Sequence, residues 1–185
     1  LQGSSALSDK LGTVVFDPRL TITDDATVPY VPGSSPFDDE GTPTQPLTLI
    51  GNGELRAFYY DRQTAGLAGT ETTGHGYRSP EALPGPSTSV VRIAPGDTSV
   101  ADLIGGVDEG LLIESMTGTF AGNVFSGDFS GNVHIGFKIE GGKIVGRVKD
   151  TMVAGNIFAD MKELGGLSDV SEWVGGGVQS PHILF

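Results

Sequence analysis

A mainly β fold of antiparallel sheets is what this sequence predicts, and three observations predict it. The dipeptides Asn52-Gly53 and Gly141-Gly142 each lie between apolar, β-prone runs, the pattern of hairpins whose turns need positive φ. Val133, Ile135, Phe137 and Ile139 alternate with His134, Lys138 and Glu140, the period of a half-buried strand. Glycine supplies 29 of the 185 residues, about twice the ordinary share. Without a collagen repeat, that density marks many tight turns between short strands. The expected architecture is a sandwich or open barrel with two short helices, and an α+β arrangement is also open to these elements.

Taken in order, residues 13–16 and 20–23 read as short extended pieces around the turn pair Asp17-Pro18. Residues 24–46 form a long loop holding five of the 11 prolines and an acidic knot, Asp38-Asp39-Glu40-Gly41; a loop of that length is usually functional or poorly ordered. Leu47 to Ile50 leads into the Asn52-Gly53 turn, and residues 55–60 should return as an inner strand, apolar on both faces apart from Arg56. Residues 61–69 read as a weak short helix or irregular turn. Residues 74–86 form a loop, since Pro80, Pro84 and Pro86 interrupt regular structure.

Residues 89–93 should be a strand. Asp97 or Thr98 then caps a helix to about Val107, where Val100, Leu103, Ile104 and Val107 form one apolar stripe. Residues 111–113 return to a strand, and Ile144, Gly146 and Val148 continue the alternation past the second hairpin turn. Residues 156–164 suit another helix with Ile157, Met161 and Leu164 on one face. After Gly175-Gly176-Gly177, residues 183–185 look like a closing strand.

Charge removes several functional classes. With 11 Lys and Arg against 23 Asp and Glu, the net charge is −12, which repels a phosphate backbone and excludes nucleic acid as a partner. No run approaches the roughly 18 apolar residues that a membrane helix needs. There is no cysteine, hence no disulfide framework and no thiolate ligand, which fits a cytoplasmic protein. The chain opens at Leu1 without an initiator Met, so a longer protein is expected.

Residue patterns offer little catalytic machinery. His75, His134 and His182 are too far apart in sequence for a helical zinc pair. His134 occupies the polar register of its strand and His182 a Pro-His turn, leaving only His75 in a loop suited to a site. Asp38, Asp39 and Glu40, and the pair Asp24-Asp25, could offer oxygens to a hard cation. They lack the alternating spacing of a calcium loop, so solvated carboxylates or caps on backbone N–H groups are the simpler reading. The knot could also attract a peptide amino terminus or a partner's Lys or Arg. Neither glycine pair nor triplet fits a phosphate-binding loop, and no G-x-S-x-G elbow occurs.

Several strings, read together, resemble the carboxy-terminal domain of the TldD/PmbA family, whose members carry the names modulator of DNA gyrase and metalloprotease. They are Gly3-Ser4-Ser5, Lys10-Leu11-Gly12, Phe16-Asp17-Pro18-Arg19, Thr23-Asp24-Asp25 and Pro36-Phe37-Asp38-Asp39-Glu40-Gly41-Thr42-Pro43. Leu49-Ile50-x-Asn52-Gly53-x-Leu55, Thr73-Gly74, Pro95-Gly96-Asp97 and Gly110-Leu111-Leu112 follow in family order. Ser126-Gly127-Asp128-Phe129-Ser130, Ile144-Val145-Gly146 and Ala154-Gly155-Asn156 complete the set. Two positions depart from it: His75 where Asn is usual, and Arg147 where Pro is common.

The resemblance implies a single carboxy-terminal domain over residues 1–185, with an amino-terminal domain absent from this chain. It implies a peptide-processing system of two related subunits, the catalytic one carrying zinc on an H-E-x-x-x-H helix upstream of Leu1 and on a late cysteine. Ser180 stands near that cysteine position, and a neutral hydroxyl is a poor zinc ligand. Lys10-Leu11-Gly12 and Phe37-Asp38-Asp39-Glu40 resemble the noncatalytic PmbA, or TldE-like, partner. The expectation is therefore a domain without catalytic residues, metal or cofactor of its own, zinc belonging to the partner. It would scaffold a TldD-type subunit or a second copy of itself and line a peptide cavity, with Asp38, Asp39, Glu40 and His75 as contact candidates. Two alternatives stay open: a fragment of an active zinc metalloprotease whose metal helix precedes residue 1, and a peptide- or protein-binding module with no proteolytic role.

Overall fold

The computed structural model describes residues 5–118 and 125–185, so Gly3 and Ser4 of the first family string lie outside the described residues. The chain divides into two compact units, Leu7–Ala94 with Ser171–Pro181 and Pro95–Val170 with His182–Phe185.

The first unit contains β1 (Ile22–Asp24), β2 (Leu47–Gly51), β3 (Glu54–Leu55), α1 (Arg62–Ala68), β4 (Gly76–Tyr77), β5 (Gly85–Pro86) and β6 (Val91–Ile93). β1 lies between β2 and β6, antiparallel to both, with Ile22 opposite Ile93 and Asp24 opposite Val91. Leu20, Ala26, Ile50, Leu55, Ala65 and Val90 are its buried apolar residues. Asn52 (φ 52°) and Gly53 (φ 77°) make the anticipated hairpin turn. A Cβ on Gly53 would lie 2.8 Å from the Asp17 carbonyl oxygen and closer still to that of Phe16.

The inner strand expected over residues 55–60 does not form. β3 has two residues and ends the sheet order. After Arg56 N donates to Leu49 O (2.8 Å), the chain leaves the ladder. Tyr59 turns its hydroxyl to Asp24, and the backbone of Tyr60 is taken by Thr72 and Thr73 side chains. Side-chain bonds to the backbone have displaced strand pairing. α1 is a true helix: Asp61 accepts from Thr64 N (2.8 Å) in a capping box, and Gly69 closes it in the left-handed region.

The second unit holds α2 (Val100–Gly105), β7 (Glu109–Thr117), β8 (Asp128–Glu140), β9 (Lys143–Arg147), β10 (Met152–Asn156) and α3 (Ile157–Asp160). β8 pairs with β7 along its length, with β10 near its start and with β9 near its end. Leu103, Val133, Ile139, Leu164 and Leu167 are buried here. The predicted alternation holds at Val133 and Ile139 but not at Ile135, which is 37% exposed. The β7–β8 register shifts on both sides of it, with an extra residue on β7 between Ile113 and Ser115 and one on β8 between Val133 and Ile135, and such bulges break the period-two face.

Ser99, not Asp97 or Thr98, caps α2, accepting from Asp102 N at 3.1 Å. α3 stops at Asp160 rather than Leu164, because the chain turns so that Gly165 N donates to Leu184 O (2.7 Å). The strands β11 (Gly166–Val174) and β12 (Val178–Leu184) contribute residues to both units. β10 and β11 had no sequence signal, since glycine and small or polar residues interrupt both. The fold is mainly β, with three helices rather than two, and no sheet closes into a barrel among the described residues.

Candidate functional site

The first unit gathers its polar side chains around Asp24, the last residue of β1 and fully buried. Strand period two puts Asp24 on the inward face of Leu20 and Ile22. Its Oδ2 accepts from Ser89 N (2.8 Å) and from the Tyr59 hydroxyl (2.9 Å). Its Oδ1 accepts from Val90 N (2.8 Å) and from Ser89 Oγ. His75 Nε2 faces the same oxygen at 3.8 Å, an ion-pair distance too long for a hydrogen bond. The His75 ring packs edge-on to Tyr59, with centroids 5.1 Å apart, and Nδ1 lies 2.8 Å from Thr73 O.

Burial alone would raise the Asp24 pKa, but the nearby His75 ring and the hydrogen bonds from Ser89 and Val90 outweigh it and hold the carboxyl well below the usual carboxylate range. Burial, then the charge and hydrogen bond of Asp24, push the Tyr59 hydroxyl far above the usual phenol range. With four hydrogen bonds on two oxygens, Asp24 is a structural anion and has no lone pair left for use as a general base.

The depressed Asp24 pKa sets the sign of an acid dependence. Its contribution to stability is complete above the unfolded carboxylate value of about 3.9 and is lost as pH falls through the lower folded value. The stability difference between the protein and an Asp24→Asn variant should stay constant from about pH 7 to pH 5 and shrink only below the ordinary carboxylate range. Urea midpoints measured across that range read it directly.

The acidic knot sits against the same segment. Asp38 Oδ1 accepts from Glu40 N (3.0 Å) and Thr42 N (2.8 Å), and its Oδ2 from Gly76 N (2.9 Å). Asp39 accepts from Arg78 N (2.9 Å), and Glu40 from Arg62 N (2.8 Å) at the start of α1. Asp39 N donates to Gly76 O (2.9 Å). Gly74, at φ 71°, leaves no room for a side chain, since a Cβ would lie 2.6 Å from Pro43 O. The three carboxylates are thus spent on backbone amides, holding the loop to residues 76–78 and to α1.

The four candidate residues therefore fall in one neighbourhood: His75 is buried, Asp38 and Glu40 are half-buried, and Asp39 is exposed. Asp24, Tyr59 and Ser89 escaped sequence reasoning. Asp24 was visible only as half of an acidic pair, and its partner Asp25 instead caps Thr27 N at 3.0 Å. The inward register of Leu20, Ile22 and Asp24 was the signal that could have separated them.

His134 is exposed, 3.2 Å from Ser115 Oγ, and the backbone N of half-buried His182 donates to Ser168 Oγ (2.8 Å). Ser180 Oγ donates to Pro181 O (2.9 Å). Among the described residues, no three His, Cys, Asp or Glu side chains are placed to hold a metal ion. Also among them, no helix is long and apolar enough to cross a membrane.

Residues 1–185 match the family described as PmbA/TldA metallopeptidase C-terminal domain. The chain is 34% identical over 181 residues to an uncharacterised protein of Methanocaldococcus jannaschii, covering 98% of this chain and 42% of that protein. It is 34% identical over 170 residues to a metalloprotease TldD homolog of Haemophilus influenzae, covering 91% of this chain and 35% of the homolog. The fold is similar to the crystal structure of TldE from Thermococcus kodakarensis, with a TM-score of 0.87 and 29% identity, over 97% of this chain and 41% of TldE. A Thermotoga maritima protein named as a candidate modulator of a DNA gyrase gives the same TM-score of 0.87 at 31% identity, over 97% of this chain and 40% of that one. The chain thus spans about two-fifths of the length of these relatives. Matched over its whole length, with a mainly β fold that follows TldE closely, this chain belongs to the PmbA/TldA metallopeptidase C-terminal domain family.

Proposed function

We propose that this chain is the noncatalytic, TldE-like domain of a two-subunit zinc metalloprotease that processes or degrades peptides. In that role it scaffolds a TldD-type subunit, or a second copy of itself, in the cytoplasm and lines the cavity that receives an extended peptide. The observation that carries the reading is the likeness to TldE over 97% of the chain.

The chemistry of the donor set supports it. A catalytic zinc takes three protein ligands and keeps one position for water. His75 is turned to Thr73 O and Asp24, and Ser180 supplies a hydroxyl engaged with Pro181 O. The described residues of this chain do not fit the metal, and no catalytic step is derived from them. An antiparallel sheet suits an extended substrate because main-chain bonds along an edge strand tolerate varied side chains. Exposed Asp39 is the member of the acidic knot best placed to meet a partner's cation.

The names of several relatives favour a second reading. Relatives 30–34% identical to this chain are named metalloprotease TldD homologs, so the full protein could carry its zinc helix before Leu1. The preceding sequence decides this, since H-E-x-x-x-H either stands there or does not.

Zinc content and peptidase activity, measured on this chain alone and mixed with a TldD-type subunit, test the proposal. The expected result is neither stoichiometric zinc nor turnover alone, and faster peptide cleavage by the TldD-type subunit on mixing. Stoichiometric zinc with turnover by the isolated chain overturns it.

A further inference from the structure

Strand period two gives the sheet of the first unit two faces, and Asp24, Ile50 and Leu55 lie on the buried one. Thr23, one residue before Asp24, therefore stands on the opposite face. Register carries that face across four strands. Thr23 is opposite Thr48 of β2 and Arg92 of β6, and Arg92 is opposite Gln179 of β12. Thr48 and Arg92 are exposed, and Thr23 and Gln179 are half-buried. The row thus reads hydroxyl, hydroxyl, guanidinium and amide, on strands about 4.8 Å apart.

Arg92 is fixed within that row. Its Nε donates to Gln179 Oε1 at 2.8 Å, and strand pairing holds both backbones. That bond engages Nε and leaves Nη1 and Nη2 without a partner among the described residues. The hydroxyls of Thr23 and Thr48 have none there either.

The neighbouring charges are already committed. Arg56, on the same face, lies over Gly51, where a Cβ would come within 2.8 Å of the Arg56 Cδ, and it pairs with Glu54 at 3.6 Å. Asp25, which follows β1 on this side, accepts from Thr27 N at 3.0 Å and from the Thr27 hydroxyl.

A guanidinium with Nη1 and Nη2 open, oriented by an amide, is a two-pronged receptor for a carboxylate. The net charge of −12 disfavours peptides rich in Asp or Glu. One carboxylate is common to every peptide whatever its side chains, the one at its C-terminus. It brings a single negative charge, which a single Arg matches. The Thr23 and Thr48 hydroxyls can bond the amide groups that precede it.

Resting on the reading of this chain as lining a peptide-receiving cavity, we propose that Arg92, positioned by Gln179 and flanked by Thr23 and Thr48, is a subsite for the C-terminal carboxylate of a peptide. The subsite anchors one end of the peptide and leaves its sequence free.

Fluorescence anisotropy of an amino-terminally labelled peptide of Ala, Gly and Ser, titrated with this chain, tests the subsite. The free-acid peptide should bind at least about tenfold more tightly than the same peptide with a C-terminal amide, the ordinary worth of a charge-assisted pair. Arg92→Gln should remove that preference, Gln179→Leu should reduce it, and Arg147→Gln, on β9, should leave it intact. Should Arg92→Gln fail to fold, the Nε–H signal of Arg92 in the unaltered protein still decides, shifting with the acid and not with the amide. Equal binding of acid and amide, no binding of either, or a preference that survives Arg92→Gln overturns the subsite. An amidated peptide with one internal Glu that binds as tightly as the free acid overturns the assignment to the terminus. No metal or catalytic subunit enters this measurement, so its failure is distinct from a failure of the zinc and cleavage results expected of the proposed function.

Discussion

Replacing Asp24 by Ala should lower the stability of this chain by about 3–5 kcal/mol, the largest loss expected of any single polar substitution in it. The magnitude follows from what is left behind. Ser89 N, Val90 N, Ser89 Oγ and the Tyr59 hydroxyl all lose their acceptor at a fully buried position. Each stranded donor keeps its desolvation cost without the bond that offset it. His75 Nε2 loses the carboxylate that it faces at 3.8 Å.

Asp24→Asn should cost less than Asp24→Ala but still destabilise the chain. An amide keeps one accepting oxygen but turns an NH2 toward groups that themselves donate. Urea or guanidinium unfolding with an unchanged m-value separates this outcome from a partly unfolded native state. An Asp24→Ala loss below about 1 kcal/mol would show that the donors find water or other acceptors, and the central role given to Asp24 would fail.

Gly53→Ala should cost about 2–5 kcal/mol, from two independent causes. Gly53 sits at φ 77°, where any Cβ meets the following carbonyl at a cost of about 1–2 kcal/mol. The same Cβ would lie 2.8 Å from Asp17 O and closer to Phe16 O. Both are backbone atoms that cannot swing aside, so the segment carrying Asp17-Pro18 must move. That segment is fastened in turn, since Gly53 O accepts from Val15 N (2.9 Å) and Phe16 N (3.1 Å). Gly141→Ala isolates the conformational term, because its φ is also positive at 54° while no atom lies within 4 Å of its would-be Cβ. The difference between the two variants, read from denaturant midpoints, is the cost of the backbone collision. Equal losses would mean that residues 16–17 yield freely.

Both predictions bear on how far the chain could be read without its fold. The Asn52-Gly53 turn, the alternation at Val133 and Ile139, and the capped apolar stripe of α2 were legible because turn chemistry and periodicity are local. The ordered family strings were legible for a similar reason, each being a short stretch at a fixed place in the chain. Legibility failed where long-range bonds overrode local preference. Residues 55–60 have strand composition, yet Tyr59 and Tyr60 are drawn off by Asp24, Thr72 and Thr73, partners 12 to 35 residues away. Ile135 has strand register, yet the pairing with β7 is irregular on both sides of it and it is left 37% exposed.

The candidate site divides in the same way. Asp38, Asp39, Glu40 and His75 stood out by residue type and by their place in loops. That the three carboxylates cap amides of residues 40, 42, 62, 76 and 78, and that His75 is buried against Asp24, depended on contacts the sequence does not spell out.

Alone, the sequence determined the fold class, the hairpins and the family, since all of these are carried by local pattern, composition or ordered strings. Only the tertiary structure decided which half of Asp24-Asp25 is buried, where Tyr59 points and what the acidic knot holds. The physical reason is that a carboxylate's role is set by the donors brought to it. For Asp24 those donors come from Tyr59, Ser89 and Val90, brought together only when the sheet and its loops have closed around it.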